Sequence, residues 1–441
     1  MDRRTRTTPW RAKSREGVAA LAQRRHRPDY QLILFMGLLM ILGVVVMYAI
    51  GPQRAYVLNN VHNTDFYTAN YFVVKQIVSM AIACAVFALM ATVVSFDWLK
   101  KHSVRLLQVG FGLCALLFIG GNILHIDQVA IATLGAYRWF NLGPLGTFQP
   151  AEVLKFAILI FMAGFLGKRY SEGKINNLKQ TLYPALIMAG AALAVIVVLQ
   201  KDMGTGISLA AMVLSMLMVS TMRWKLILKI VAVCAALGVL LIVTSPHRME
   251  RIGTFFSGDS AAHNSAEADD NNYHIKNAMI ALGTGGLFGR GIGQSIQATG
   301  YLPEAVNDSI FAIMGEIFGF VGTTVIIGLF AGLMLRLLRI TDHLEDMSMR
   351  LAVAGIFGWF TAHVLMNIAS MIGMAPLTGI TLPLLSSGGS SMVFLAGALG
   401  LALQLSRQTA HHPVVLKEEN DEDSRSGRRL RRTRYASRRS S

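Results

Sequence analysis

Apolar positions in this chain gather in long unbroken runs, with the polar residues confined to the segments between them. Neither the 3.6-residue stripe of a surface helix nor the strict alternation of a half-buried strand dominates. About ten runs approach the ~18–20 residues needed to cross a hydrocarbon core. They are 31–51, 71–95, 104–121, 151–167, 182–199, 204–220, 226–244, 309–335, 351–372 and 390–405. Each predicts a membrane-spanning helix, so the expected fold is an all-α, polytopic membrane protein of about ten transmembrane helices.

The polar segments set the orientation. Lys100 and Lys101, Lys168, Arg169, Lys174 and Lys179, Arg223 and Lys225, and Arg336 and Arg339 fall on one side if the spans number ten. The positive-inside rule makes that side the cytoplasm and puts both termini there. A large outward loop (245–307) then joins spans 7 and 8. The domain organisation expected is a basic cytoplasmic tail (1–29), a transmembrane domain (30–408) and a disordered cytoplasmic tail (409–441) that runs acidic and then basic. No cleavable signal peptide is apparent, and the first run is read as the first membrane helix.

Composition fits this frame. The 441 residues are 53% hydrophobic and 15% charged, more apolar than soluble domains are. The formal charge of +16 is concentrated in the tails and cytoplasmic loops. It therefore reads as topology and attraction to anionic membrane lipid, not as a nucleic-acid site. The three cysteines, Cys84, Cys114 and Cys234, lie within spans and read as packing residues.

Candidate chemistry collects on the outward side. GAYRWFNLGPLGTFQPAEVLKF contains Arg138 and Trp139 in a loop lying on the membrane surface, and Gln149-Pro150 then opens a helix. Glu152 and Lys155, three apart, share a helix face. They are either a neutralising pair that lets the helix insert or the wall of a polar cavity, and the cavity reading is favoured because Arg138 lies nearby. QKDMGTG is a short turn with Asp202 at its tip, which needs glycine and polar residues in any case. GTGGLFGRGIG lacks the preceding strand and the GK[ST] ending of a phosphate loop. MAPLTGITLPLLSSGGSS interrupts two spans with proline and glycine, and its serines, Ser390 among them, lack a companion base. His363 and Asn367 share a face of the ninth span and read as interhelical hydrogen-bonding groups. In YLPEAVNDSIFAIMGE, Asp308 stands where a polar loop becomes an apolar helix, and Glu316 lies two turns further in. Carboxylates at a bilayer edge are expensive and seldom idle.

Four of these motifs occur in the order seen in the SEDS family (shape, elongation, division and sporulation: FtsW, RodA and SpoVE), which the chain resembles from about residue 29 to 407. The likeness is slightly greater to FtsW than to RodA. The resemblance implies a peptidoglycan glycosyltransferase, a hexosyltransferase that polymerises lipid II outside the bacterial cytoplasmic membrane, where it would be a multi-pass protein that could sit at the septum. It implies partnership with a class B penicillin-binding protein transpeptidase and with divisome or elongasome proteins. The family's essential acid maps onto Asp308, expected to be the general base. Arg138, Trp139, Gln149, Glu152, Lys155, Asp202, Lys276, Glu304 and Ser390 are the expected substrate-binding residues. No dedicated metal ligands stand out, though Mg²⁺ or Mn²⁺ could assist through substrate phosphates. The chain departs from the family at Asn307 (usually Thr), Ser309 (usually bulky and apolar), Lys201 (usually Pro), Thr381 (often Pro) and within YHIKNA, 273–278. The alternative reading is a lipid II flippase.

Overall fold

The computed structural model describes residues 27–124, 130–133, 136–141, 143, 146–243, 266–387 and 389–409. Residues 1–26 and 410–441 of the expected tails, and 244–265 of the large outward loop, lie outside the described residues.

Helices account for nearly all of it. They are α1 (Tyr30–His62), α2 (Tyr71–Thr92), α3 (Phe96–Lys101), α4 (Ser103–Phe118), α5 (Pro150–Ser171), α6 (Tyr183–Ala194), α7 (Met203–Val219), α8 (Trp224–Val243), α9 (Ala266–Gly285), α10 (Ile310–His343), α11 (Met347–Met371) and α12 (Gly389–Ser406). Among the described residues, eight helical segments are long and apolar enough to cross a membrane. The 17-residue α7 and the 20-residue α8 occupy the two remaining places where spans are expected.

Local signals explain the helix starts. Pro150 takes the first turn of α5, where its missing N–H costs nothing. Asp202 caps α7 by accepting from the Thr205 amide, and Asp346 caps α11 through the Met349 amide.

The two ends of the bundle differ. At one, the Asp29 amide donates to Ser406 Oγ (3.1 Å), Arg336 approaches Asp29 (3.9 Å), and Gln404 Nε2 donates to the carbonyls of Met90 and Val94. The start of α1 thus meets α10 and the end of α12, and α12 in turn holds the end of α2. This is also the end that carries Lys100, Lys168 and Arg336. The polar motifs lie at the opposite end.

Two features of that opposite end depart from expectation. The segment around Arg138 is a small antiparallel sheet, ordered β1 (Ala130–Thr133), β2 (Ala136–Asn141), β3 (Thr147–Phe148), in which Trp139 pairs with Ile131. The aromatic alternation of Tyr137-Arg138-Trp139-Phe140 suits a strand.

The eighth expected span is broken. Within α10, Gly319 has φ +67° and ψ −166°. The glycine run from the preceding loop fills the break. Arg290 N donates to Glu316 O, Gly291 N to Ile317 O, Phe320 N to Gly286 O and Val321 N to Leu287 O, all at 2.8–3.1 Å. These four bonds replace the helical ones lost at Gly319, as irregular backbone at membrane depth requires. Glycine is obligatory here: a Cβ at Gly289 would overlap the Ile317 carbonyl, and one at Gly319 would overlap the Gly289 amide. That contact is the reason for the glycine run, which is no phosphate loop.

Gly289→Ala should therefore cost roughly 2 kcal/mol or more, through overlap and a positive φ of 82°. Gly293→Ala, with φ 80° but open space around it, should cost about half of that. Thermal unfolding in detergent distinguishes the two; equal losses would remove the splice from the account.

Candidate functional site

Two polar centres lie at the end away from the basic loops. The first is built from α5, α7 and α11. Lys155 Nζ lies 2.8 Å from Glu152 Oε1, and these side chains are 0% and 2% exposed. The ammonium also approaches Ser208 Oγ and His363 Nε2 (both 3.4 Å) and sits 4.8 Å from the centre of the Trp359 ring. Trp359 Nε1 donates to the same His363 nitrogen (3.2 Å). With two donors on Nε2, the imidazole is neutral and carries its proton on Nδ1. Lys155 is thus fully engaged by protein groups.

Beside this pair, Asp202 accepts from Gln149 Nε2 (2.9 Å), Thr205 Oγ1 (2.8 Å) and the Thr205 amide (2.9 Å). The Gln149 amide donates to Ser390 Oγ (3.2 Å), tying α5 to α12. Arg138 spends two donors on the α6–α7 turn, Nε to Gln200 O (3.1 Å) and Nη2 to Lys201 O (2.9 Å). Among the described residues no acid is paired with its guanidinium.

The second centre is the turn before α10. Asp308 keeps part of its surface open, but Oδ1 is closed off from solvent and has no hydrogen-bond partner. Burial, and then the negative charge of Glu304, push its carboxyl up to about 7, against backbone N–H groups that favour the ionised form. Such a group is poised for proton transfer near neutral pH. Glu304 itself is exposed, holds a positive φ of 49° and accepts from Asn307 Nδ2 (2.5 Å).

Side chains from both flanking helices hold this turn. Asn367 on α11 donates both amide hydrogens, to Asp308 O (2.7 Å) and to Ile380 O (2.8 Å). From α9, His274 Nε2 lies 2.5 Å from Ser309 Oγ, which donates its single proton to Pro303 O (2.8 Å). The imidazole nitrogen must then be the donor, and burial holds His274 below its ordinary range, in the neutral form. Two of the departures noted in the sequence, at Ser309 and within YHIKNA, meet in this contact.

The irregular segment 374–391 joins the two centres. Ser387 N donates to Val306 O (2.9 Å), Ile380 O takes its bond from Asn367, and Ser390 Oγ serves Gln149. Gly204, at the start of α7, packs against Thr378 and Ile380. Leu384 has φ +65° while buried, a strain sustained only by its surroundings.

The expected site residues therefore divide. Gln149, Asp202 and Ser390 are bonded together, and Glu152 and Lys155 lie beside them. Asp308 and Glu304 form the second centre. Trp139 sits in β2, and Lys276 is exposed on α9 without an ion pair among the described residues. Glu316 belongs to neither centre. It accepts from Ser295 Oγ (2.5 Å), Ile296 N (3.0 Å) and Gln297 N (3.2 Å), fastening the chain that returns from the glycine run. Among the described residues no group of three or more His, Cys, Asp or Glu side chains could hold a metal.

Asn367 escaped the sequence reading as part of the site, because its two acceptors lie 59 and 13 residues away. Asn367→Leu keeps the branched shape but removes both donors and so frees the Asp308 turn. The expected result is a folded protein with a rate lowered about tenfold or more and a more acidic base limb in its pH profile, since a loosened turn admits water. Loss of rate with an unmoved limb would make Asn367 a packing residue only.

Comparison with known proteins agrees with this architecture. The family model FtsW/RodA/SpoVE, described as cell cycle protein, matches residues 30–411. The stage V sporulation protein E of Bacillus subtilis is 29% identical over 393 residues, covering 89% of this chain and all of that protein. The probable peptidoglycan glycosyltransferase FtsW of Trichlorobacter lovleyi is 31% identical, covering 88% of this chain and 96% of that one. Among solved structures, a chain of a peptidoglycan synthase complex aligns with TM-score 0.65 at 23% identity, covering 86% of this chain and 98% of its own. The rod shape determining protein RodA of Thermus thermophilus aligns with TM-score 0.60 at 24% identity, covering 87% and 98%.

Proposed function

The chain belongs to the FtsW/RodA/SpoVE family of cell cycle proteins, and from that membership together with its one-sided polar site we infer that it is a peptidoglycan glycosyltransferase. It is an all-α membrane protein. Its substrate is lipid II, an undecaprenyl-pyrophosphate-linked disaccharide peptide, polymerised at the outer face of the bacterial cytoplasmic membrane. The observation that carries the reading is the raised carboxyl of Asp308, whose Oδ1 has no hydrogen-bond partner, in a turn held on both sides by His274 and Asn367.

Polymerisation requires a sugar 4-hydroxyl of one lipid II to attack the anomeric carbon of another, with the pyrophosphate leaving. The Asp308 carboxylate, part of whose surface is open, takes the hydroxyl proton, which a general base must reach directly or through one water. The remaining guanidinium of Arg138 faces the leaving group as fixed positive charge. Lys155, closed in by Glu152, Ser208, His363 and Trp359, braces the packed polar centre and touches no phosphate in this conformation. Gln149, Asp202 and Ser390 tie α5 to α7 and α12 beside it.

Were Mg²⁺ or Mn²⁺ to assist, Asp308 and Glu304 are the carboxylates that would hold it, and it would supply positive charge toward substrate phosphates. A class B penicillin-binding protein is the proposed partner, and the septum the proposed place.

The flippase reading is disfavoured. Below Lys155 the bundle closes with Trp359, Leu159, Met216 and Ile356, all fully buried, so the polar path stops partway across. A carrier of charged headgroups would need a path reaching both faces.

Purified protein given lipid II in detergent should make glycan polymer, read as a ladder on a gel. Lipid II recovered unchanged would refute the activity. The rate, as kcat/KM, should rise with pH through about 7 and then level, because Asp308 must be ionised to accept a proton. The stability consequence has the opposite sign. A carboxyl raised in the folded state binds its proton more tightly there, so its ionisation erodes stability as pH climbs from the ordinary Asp range toward 7. Asp308→Asn should therefore gain thermal stability over wild type at pH 8 and show no gain at pH 4.

A further inference from the structure

The segment 266–307 is not a simple surface loop. α9 runs parallel to the first half of α10: His274 lies against Ser309, Leu282 and Gly285 against Gly315, and Gly289 against Ile317. The chain descends along α10, reaches a tip at 286–292, and returns past Glu316 to Asp308.

Two rulers place the tip relative to the bilayer. The first basic residue after the apolar run of α10 is Arg336, and about 20 residues cross a hydrocarbon core. Counting back sets the outer hydrocarbon edge near Glu316. α1 enters at Tyr30, so its edge falls near Ile50 by the same measure. Gln53, just beyond, donates from Nε2 to Gly293 O (2.9 Å). Both counts put the tip at the hydrocarbon edge.

The side chains there suit that position. Leu287 (65% exposed), Phe288 (80%), Ile292 (56%) and Phe320 (66%) leave most of their apolar surface uncovered. Arg290 stands among them, exposed, with no acid bonded to its guanidinium among the described residues. An unpaired cation between lipid-facing aromatics calls for an anionic partner at that level. Its backbone N–H is bonded to Glu316 O, eight residues along from Asp308. At 1.5 Å per residue this sets Arg290 roughly 12 Å below the proposed base. A disaccharide laid end to end covers about that distance.

We propose that Arg290, with the apolar tip 287–292 around it, is the docking subsite for the diphosphate and first prenyl units of the acceptor lipid, the molecule whose far sugar hydroxyl reaches Asp308. This rests on the polymerase reading above. Leu287, Phe288 and Ile292 pack against the prenyl chain, and the guanidinium forks onto the diphosphate oxygens. The site explains why a tightly spliced glycine hairpin ends in exposed apolar residues instead of polar ones.

The probe is a long-chain polyprenyl diphosphate without sugars, bound to the full chain in phosphatidylcholine nanodiscs and counted by native mass spectrometry. Arg290→Glu should weaken binding about tenfold or more, and Arg290→Lys by no more than about threefold. Folding is checked by unfolding temperature; the Arg290 amide, which makes the splice, is unaffected by either substitution. Asp308→Asn should bind the probe as wild type does, so loss of chemistry and loss of docking are read separately. A protein that polymerises lipid II but whose Arg290→Glu variant binds the diphosphate unchanged refutes the subsite and leaves the activity standing. The reverse pattern refutes the activity alone. In nanodiscs of phosphatidylglycerol and phosphatidylcholine in equal parts, Arg290→Glu should leave phosphatidylglycerol adducts unchanged. If it removes those adducts and spares the diphosphate, the arginine serves bulk phospholipid and the proposal fails. A nitroxide at Phe288→Cys, with the three native cysteines replaced, should be reached by dissolved oxygen more than by a water-soluble nickel chelate. The opposite preference would place the tip in water and overturn the docking geometry.

Discussion

Asp308→Asn should reduce polymerisation roughly 10²–10⁴-fold or more while the protein still folds and still binds lipid II. The amide keeps the size of the carboxylate but cannot accept the hydroxyl proton. The turn should survive, because its supports act on the backbone and on neighbouring residues: Asn367 holds the Asp308 carbonyl, and His274 holds Ser309. Oδ1 has no protein partner to lose. A structural role predicts a different pattern, with a lowered unfolding temperature accompanying any loss of rate. Wild-type polymer formation by the purified variant would end the assignment.

The second large effect concerns Glu152 and Lys155. Each is the other's counter-ion in a region closed to water. Glu152→Gln leaves an ammonium buried without a formal partner, and Lys155→Met leaves a carboxylate in the same state. Either change should cost roughly 3–5 kcal/mol, since an uncompensated buried charge is the worst case. The double substitution Glu152→Gln with Lys155→Met removes both charges, so stability should largely return. Polymerisation should not, if the pair braces the polar centre beside Gln149 and Asp202 and orients His363. Unfolding temperature and lipid II turnover of the four proteins complete the cycle. Full activity in the stable double variant would reduce the pair to a means of inserting α5.

Much of this architecture is written locally in the chain. The apolar runs specify membrane helices because hydrocarbon leaves the backbone no other economical solution. Pro150 and Asp202 mark helix starts by chemistry that acts within one turn. Asp308 was visible as an acid at a polar-to-apolar boundary. The small sheet around Arg138 left a faint signature in the alternation of Tyr137 to Phe140, masked by the glycines and proline that follow. The hairpin at Gly319 was not legible. α9 is too polar to read as membrane-associated, and its glycine run becomes intelligible only against the backbone of α10, some thirty residues on. Asn367 was hidden for the same reason. A single asparagine on an apolar helix gives no sign of which distant carbonyls it will hold.

The central claim is that this protein joins lipid II molecules on the face opposite its basic loops. The most direct test is a proteoliposome with the protein in known orientation and lipid II confined to one leaflet. With lipid II on the face that carries Asp308, wild-type protein should form glycan polymer, Asp308→Asn should form none, and no lipid II should appear in the opposite leaflet. Transfer of intact lipid II across the bilayer without polymer, or polymer formed only from the leaflet beside Lys100 and Lys168, would contradict the account.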